Sequence, residues 1–108
     1  MAYCLVCFEK RKNKTQKMKL ERTIKNNEGT IIDVRTIGEY QGGHAVHSIN
    51  VPLHEISKRM EEIKKMKTPV VLCCASGGRS AQAAHLLTSN KIDCIDAGPW
   101  SAVHSLQS

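Results

Sequence analysis

The chain has 108 residues, of which 41% are hydrophobic and 24% charged, with 7 Gly and 3 Pro. This composition is typical of one compact domain and excludes a mainly disordered chain. The formal net charge is +6, but residues 9–22 alone hold seven basic and two acidic side chains, so the remainder is close to neutral. We therefore expect a basic N-terminal arm over residues 1–22, flexible or loosely packed, and a folded domain over residues 23–108.

The first half of the domain predicts two strands and one short helix. Thr30–Val34 is short, β-branched and preceded by Asn and Gly, which indicates a buried strand. Thr36 followed by Glu39 has the spacing of a capping box, so a helix is expected to begin there and to end at the next glycine pair. Ile49–Pro52 is expected to be a second, brief extended segment.

Helices and strands alternate through the second half. Apolar residues three or four apart predict one amphipathic helix over Leu53–Lys67. Val70–Cys73 is an apolar run typical of the centre of a parallel sheet. A helix over about Arg79–Ser89 and a last strand over Ile92–Asp96 follow, and the turn Gly98-Pro99 ends that strand. The alternation predicts an α/β fold with a central, mostly parallel sheet and helices on both faces.

The loop after the central strand holds the residues with catalytic chemistry: Cys74, Ala75, Ser76, Gly77, Gly78, Arg79 and Ser80. In open parallel sheets the ligand site lies beyond the carboxyl ends of the strands, where this loop falls. Amides of a tight glycine-containing loop can converge on one point, and the helix dipole adds to their field. With the Arg79 guanidinium, this field should bind a sulfur or phosphorus oxyanion and lower the pKa of the thiol, giving a nucleophilic thiolate.

Separated motifs, in order, carry a resemblance to a known family: Asp33-Val34-Arg35, Glu39-Tyr40, Gly43-His44, Ile49–Leu53 and Cys74–Ser80. Over about residues 30–100 the chain resembles the single-domain rhodanese family of sulfurtransferases. The resemblance implies that Cys74 carries a persulfide, that the residues after it form an amide cradle, and that Arg79 closes the loop. It also implies transfer of sulfane sulfur from a donor such as thiosulfate to cyanide or a thiol, without a metal or organic cofactor.

The double cysteine leaves other interpretations open. Counted from Cys73 the loop has the Cys-x5-Arg spacing of cysteine-dependent phosphatases, and counted from Cys74 it has the Cys-x4-Arg spacing of small sulfurtransferases. Gly77 lies three residues after Cys74, whereas Ser76 takes that place after Cys73, and Leu72 stands where phosphatases usually have His. These positions favour Cys74 as the nucleophile and a buried or half-buried Cys73 at the strand end. A sulfur carrier or a non-catalytic binding module is a further alternative.

Several other residues are expected to support the site or the core. By the resemblance, Asp33 and Arg35 order the neighbouring loops through hydrogen bonds and ion pairing. Glu39 is expected either to pair with Arg35 or to cap its helix. Cys94 is interpreted as a packing residue, and Trp100 as a cover over the core. The histidines have no metal-ligand spacing, so we expect no metal site.

The cysteine usage and the charge pattern bear on compartment and partners. Five cysteines in no scaffold spacing favour reduced thiols, and no apolar run approaches the ~20 residues that span a bilayer. We expect a cytoplasmic protein, or a periplasmic one if an export signal has been removed, that is a monomer and does not bind membranes. The basic run contains no aromatic residue to stack on bases, so nucleic acid is not an expected partner. A sulfur-relay protein is an expected partner alongside the small donor and acceptor.

Overall fold

The computed structural model describes residues 17–107. Their four strands are β1 (Thr30–Asp33), β2 (Ile49–Asn50), β3 (Val70–Cys74) and β4 (Cys94–Pro99). All pairings are parallel, in the order β2-β1-β3-β4. The helices are α1 (residues 17–25), α2 (Ile37–Gln41), α3 (Met60–Lys64), α4 (Gly78–Ser89) and α5 (Trp100–Leu106). The predicted α/β class with a parallel central sheet is confirmed.

The central strand β3 is buried on both faces, and its side chains alternate between two cores. Val70, Leu72 and Cys74 belong to the core that α3 and α4 cover. Val71 and Cys73 belong to the core that α1 and α5 cover. Helices therefore pack on both faces of the sheet, as predicted. The two adjacent cysteines consequently point to opposite sides of it.

Helix α1 corrects the predicted domain boundary. The charge run assigns residues 17–22 to a loosely packed arm, yet they lie in α1, where Leu20 and Ile24 are 8% and 9% exposed. These two apolar residues are four apart, so both face the core while basic residues of the same helix remain at the surface. Charge alone therefore marks the boundary too late in the chain. The rest of the predicted arm, with its Cys4 and Cys7 pair, lies outside the described residues.

The prediction of one continuous helix over Leu53–Lys67 is wrong. The segment begins with a 3-10 turn at Leu53–Glu55, passes through a further turn, and becomes α-helical only in α3. Its buried apolar residues Ile56, Met60 and Ile63 do face the core. Because a 3-10 turn followed by an α-helix places apolar residues three or four apart just as one helix does, the spacing cannot distinguish them.

The last strand is also longer than predicted, because Gly98 and Pro99 lie within β4 rather than in a turn. Leu72 of β3 pairs with Asp96, but the next residue, Cys73, pairs with Gly98, so Ala97 is an extra residue that forms a β-bulge. Proline is tolerated at the end of a strand, where its missing N–H costs little. The bulge lies beside the end of β3, where the cysteine loop begins.

Candidate active site

The cysteine loop connects the end of β3 to the beginning of α4 in a sharp return. β3 ends at Cys74, and Gly77 is the N-cap of α4. Gly77 has a φ of 108°, in the left-handed region that favours glycine, and a Cβ at this position would lie 3.8 Å from the Cα of Gly98. This return directs the positive end of the twelve-residue α4 toward the end of β3.

The sulfur of Cys74 is held by groups of this loop. The N–H of Gly77 donates to Sγ at 2.9 Å, and Sγ lies 3.4 Å from the Oγ of Ser80. Burial raises the pKa of the Cys74 thiol, but the neighbouring Ser80 hydroxyl and the backbones of Ser80, Gly77 and Ser76 outweigh it, so the pKa lies below its ordinary value. The loop therefore favours the thiolate. Because Cys74 has no exposed surface, a donor reaches Sγ only when neighbouring groups move.

Cys73 has the opposite environment. Its side chain is 0% exposed, and burial, reinforced by the negative charge of Asp33, raises the pKa of its thiol to about 12. It packs in the core shared with α1 and α5, away from the side on which Cys74 lies. A thiol in this position stays protonated and does not act as a nucleophile. The predicted buried strand residue is thus confirmed.

Arg79 is paired across the site with Glu39 of α2. Its Nη1 and Nη2 donate to Glu39 Oε1 and Oε2 at 2.7 and 2.9 Å. Glu39 also completes the predicted capping box with Thr36. The hydrogen bond from Arg79, followed by those from Thr36, lowers the pKa of Glu39 to about 2. The expected alternative partner of Glu39, Arg35, is thereby corrected to Arg79, since Arg35 is occupied elsewhere.

Arg35 and Asp33 form a buried ion pair at the end of β1. The guanidinium Nη2 donates to Asp33 Oδ2 at 2.8 Å, and Asp33 is 0% exposed. The same Nη2 donates to the carbonyl of Gly43 at 2.6 Å, and the guanidinium carbon lies 5.0 Å from the centre of the Trp100 ring. The pair therefore joins the end of β1 to the loop after α2 and to the first residue of α5.

Asp96 also contacts this loop, although no motif in the sequence marks it. The Oγ of Ser80, a residue with no exposed surface, donates to Asp96 Oδ1 at 2.7 Å. Asp96 lies near the carboxyl end of β4, and the ends of parallel strands meet at one edge of the sheet. That rule was the signal that could have placed Asp96 here. The pairing of Glu39 with Arg79 has no comparable signal in the sequence, because the capping box accounts for Glu39 locally.

The residues of the cysteine loop differ in what they contact. Gly77 donates a hydrogen bond to the sulfur, Ser80 accepts one from it, and Ala75 and Ser76 form the bend between β3 and Gly77. Gly78 is the first residue of α4. Within residues 17–107, no cluster of three His, Cys, Asp or Glu side chains could hold a metal ion. No helix in that stretch has both the length and the apolarity to cross a membrane.

Comparison with known families matches residues 16–106 to the rhodanese-like domain. The chain belongs to this family. The rhodanese-like domain is 42% identical over 60 residues to the uncharacterized protein YqhL of Bacillus subtilis, covering 56% of this chain and 47% of that one. It is 40% identical over 57 residues to a sulfurtransferase of Allochromatium vinosum, covering 53% and 52%.

A third relative is the putative sulfur carrier protein YrkF of Bacillus subtilis, 37% identical over 57 residues, covering 53% of this chain and 30% of that one. The matches thus span about half or less of the length of these curated relatives. Among solved structures, a rhodanese-related protein of Thermoplasma volcanium has a TM-score of 0.61 at 28% identity, covering 68% and 72% of the two chains. A rhodanese-like domain protein of Staphylococcus aureus has a TM-score of 0.61 at 26% identity, covering 70% and 74%.

Proposed function

We propose that this rhodanese-like domain is a sulfurtransferase in which Cys74 accepts sulfane sulfur from a donor such as thiosulfate and passes it to cyanide or a thiol. The observation that supports this most directly is the environment of Sγ, with the Gly77 N–H at 2.9 Å and a pKa below the ordinary value. A soft thiolate held by backbone amides is the nucleophile that attack on a sulfur atom requires.

The transfer proceeds by two displacements that balance without an oxidant or a cofactor. In the first, the Cys74 thiolate attacks the sulfane sulfur, an S–S bond to Sγ forms, and the donor S–S bond breaks with its electron pair leaving on sulfite or on a donor thiolate. In the second, the acceptor attacks the terminal sulfur of the persulfide and the electron pair returns to Sγ. The loop amides stabilise the anionic terminal sulfur between the two steps.

Arg79 gives the loop a cation that an anionic donor can share. Its ion pair with Glu39 uses one N–H on each terminal nitrogen, whereas a guanidinium has five N–H donors in all. An oxyanion can therefore bind Arg79 while Glu39 remains in place. We assign Ala75, Ser76, Gly77, Gly78 and Ser80 to the binding of the transferred sulfur, and Asp33 with Arg35 to support of the loop.

A sulfur-carrier role is the second candidate, and the name of YrkF as a putative sulfur carrier protein favours it. In that case Cys74 takes up sulfur and delivers it to a relay protein, with little turnover to a small acceptor.

We also propose a reducing, cytoplasmic location for the protein. The free thiols of Cys73, Cys74 and Cys94 support it.

Paired alanine variants of the two cysteines test the proposal. The reduced protein is mixed with thiosulfate, the mass of its tryptic peptide over residues 68–79 is measured, and thiocyanate is assayed after addition of cyanide. We expect one added sulfur on Cys74 and thiocyanate formation in the wild type and in Cys73→Ala. Cys74→Ala should lose both, because no second thiolate among residues 17–107 faces the loop.

Each of the remaining outcomes selects another function. Uptake of sulfur on Cys74 with negligible thiocyanate identifies a carrier. No uptake from thiosulfate or from a small-molecule persulfide contradicts both sulfur-transfer roles and leaves a binding module. Turnover of an aryl phosphate that is lost in Cys73→Ala identifies a phosphatase. We do not expect this result, because Cys73 is buried and protonated.

A further inference from the structure

The hydroxyl of Ser80 lies between the nucleophile and a carboxylate. Its Oγ is 3.4 Å from Cys74 Sγ, 2.7 Å from Asp96 Oδ1 and 3.1 Å from the carbonyl oxygen of Gly77. A serine hydroxyl has one proton to donate, while the thiolate, the carboxylate and the carbonyl are all acceptors. The shortest of the three contacts is to the carboxylate, and hydrogen bonds to charged acceptors are the stronger ones.

The β-bulge in β4 fixes the carboxylate in this position. Ala97 is the extra residue between the pairs Leu72–Asp96 and Cys73–Gly98, and the N–H of Gly98 donates to the same Asp96 Oδ1 at 3.1 Å. Bulges beside active sites commonly redirect a side chain. Asp96 is therefore held toward Ser80 by the backbone of its own strand.

We propose that Asp96 is a positioning residue that competes with the Cys74 thiolate for the single proton of the Ser80 hydroxyl. While Ser80 donates to Asp96, its oxygen turns a lone pair to the sulfur and accepts from the thiol. When the thiol loses its proton, Ser80 stabilises the thiolate only by giving up its bond to the carboxylate. Asp96 thus withholds part of the stabilisation that Ser80 would otherwise supply to the thiolate.

The competition matters for sulfur transfer, and in this respect the inference rests on the proposed function. In the persulfide the negative charge lies on the terminal sulfur, so Sγ no longer needs the Ser80 proton and Asp96 keeps it. Asp96 therefore disfavours the thiolate but not the persulfide. Because Asp96 disfavours the thiolate, Cys74 is a poorer leaving group when the acceptor attacks the persulfide, and discharge is slower. Asp96 therefore lengthens the lifetime of the persulfide.

Within residues 17–107, the other charged and titratable groups near Cys74 and Asp96 are few. Glu39 has a pKa of about 2 and Cys73 one of about 12, so neither changes its charge between pH 5 and pH 10. Arg79, Arg35 and Asp33 lie on the loop and the end of β1 around the two cysteines. Lys17 and Glu21 of α1 line the cavity to which Asp96 contributes.

The test is the pH dependence of alkylation at Cys74 in the full chain. Iodoacetamide reacts with the thiolate, and fragmentation of the tryptic peptide 68–79 separates modification of Cys74 from that of Cys73. We expect Asp96→Asn to move the midpoint of the Cys74 profile down by about one pH unit, because the Ser80 proton becomes available to the thiolate. Asp93→Asn, which removes an exposed carboxylate paired with Lys19, is the matched control and should leave the midpoint unchanged.

A double-variant cycle separates competition for the proton from the simple field of a nearby charge. In a Ser80→Ala background, Asp96→Asn should no longer shift the midpoint. An equal shift in both backgrounds, or no shift in either, would overturn the proposal. Asp96→Ala gives a second measurement if the Asn variant does not fold, with the same direction expected.

A separate measurement follows discharge of the persulfide. Preloaded Asp96→Asn protein should transfer its sulfur to a small thiol several-fold faster than the wild type, since Cys74 becomes the better leaving group. An unchanged or slower discharge contradicts the inferred effect on the loaded state. Because alkylation requires no sulfur donor, failure of the proposed function would appear as an absent persulfide and not as an absent shift in the alkylation profile.

Discussion

At the scale of single residues, one step along a strand separates the proposed nucleophile from a packing residue. Cys73 and Cys74 are neighbours in sequence, but the alternation of a strand sends their side chains to opposite cores. Burial raises the pKa of Cys73 to about 12, whereas loop donors bring that of Cys74 below its usual value. The assignment made from glycine spacing thus has a physical basis in strand geometry.

The buried pair of Asp33 and Arg35 gives a prediction for stability. Arg35→Met leaves the carboxylate of Asp33, which is 0% exposed, without its partner, and breaking a buried pair in this way costs about 3–5 kcal/mol. We expect a loss of that size in the free energy of unfolding, measured in urea. The double variant Asp33→Asn with Arg35→Met should recover part of it, because the buried charge is gone. A single variant as stable as the wild type would show that the pair does not support the fold.

At the scale of elements, the sequence predicts the strands that hold the site better than the segments around them. The apolar run Val70–Cys73 and the capping box at Thr36 predict elements that the structure contains, because apolar runs and caps are local signals. The 3-10 turn before α3 and the bulge in β4 cannot be predicted in this way, since one follows from packing and the other from register against β3. The contact of Asp96 with Ser80 depends on that register, so no local pattern marks it.

Helix α1 supplies the prediction at this scale. Leu20→Ala removes a side chain that is 8% exposed in the core beneath α1, whereas Met18→Ala changes a residue of the same helix that is 64% exposed. We expect Leu20→Ala to lower the free energy of unfolding by about 2–3 kcal/mol and Met18→Ala to change it by less than about 0.5 kcal/mol. Equal effects in the two variants would show that α1 does not pack on the core and that residues 17–22 belong to a loosely packed arm.

At the scale of the whole molecule, parallel topology brings the residues of the candidate site together. Cys74, Asp33 and Asp96 come from three neighbouring strands, and Glu39 and Arg79 from two helices at the same edge of the sheet. The edge itself could be predicted from the strand pattern, and so could most of the loop. Contacts that cross between elements, such as the pair of Glu39 with Arg79, could not be predicted because no local pattern marks them.

That pair predicts how the stability of the molecule depends on acid. The pKa of Glu39 falls from its usual 4.5 to about 2 in the folded protein, so folding favours the charged form. The stabilisation is complete above pH 4.5 and is lost as the pH falls toward 2. Wild type should therefore exceed Glu39→Gln in thermal midpoint at pH 7, and the difference should disappear between pH 4.5 and pH 2. Its size is small, because both side chains are partly exposed and salt screens the pair.

The control for this experiment is Glu61→Gln, which removes a carboxylate whose side chain is 83% exposed and which pairs with Lys64 within α3. A pair within one short helix holds no second element in place, so this variant should follow the wild type across the same pH range. If Glu39→Gln also followed the wild type, the ion pair would not join α2 to α4 in solution.

The same pair gives a prediction for substrate binding. If the pair does not form in solution, Arg79 is already free for an anionic donor, and the thiosulfate KM of Glu39→Gln would equal that of the wild type. If the pair does form, releasing Arg79 should lower that KM several-fold, since the guanidinium no longer divides its donors between a carboxylate and the substrate.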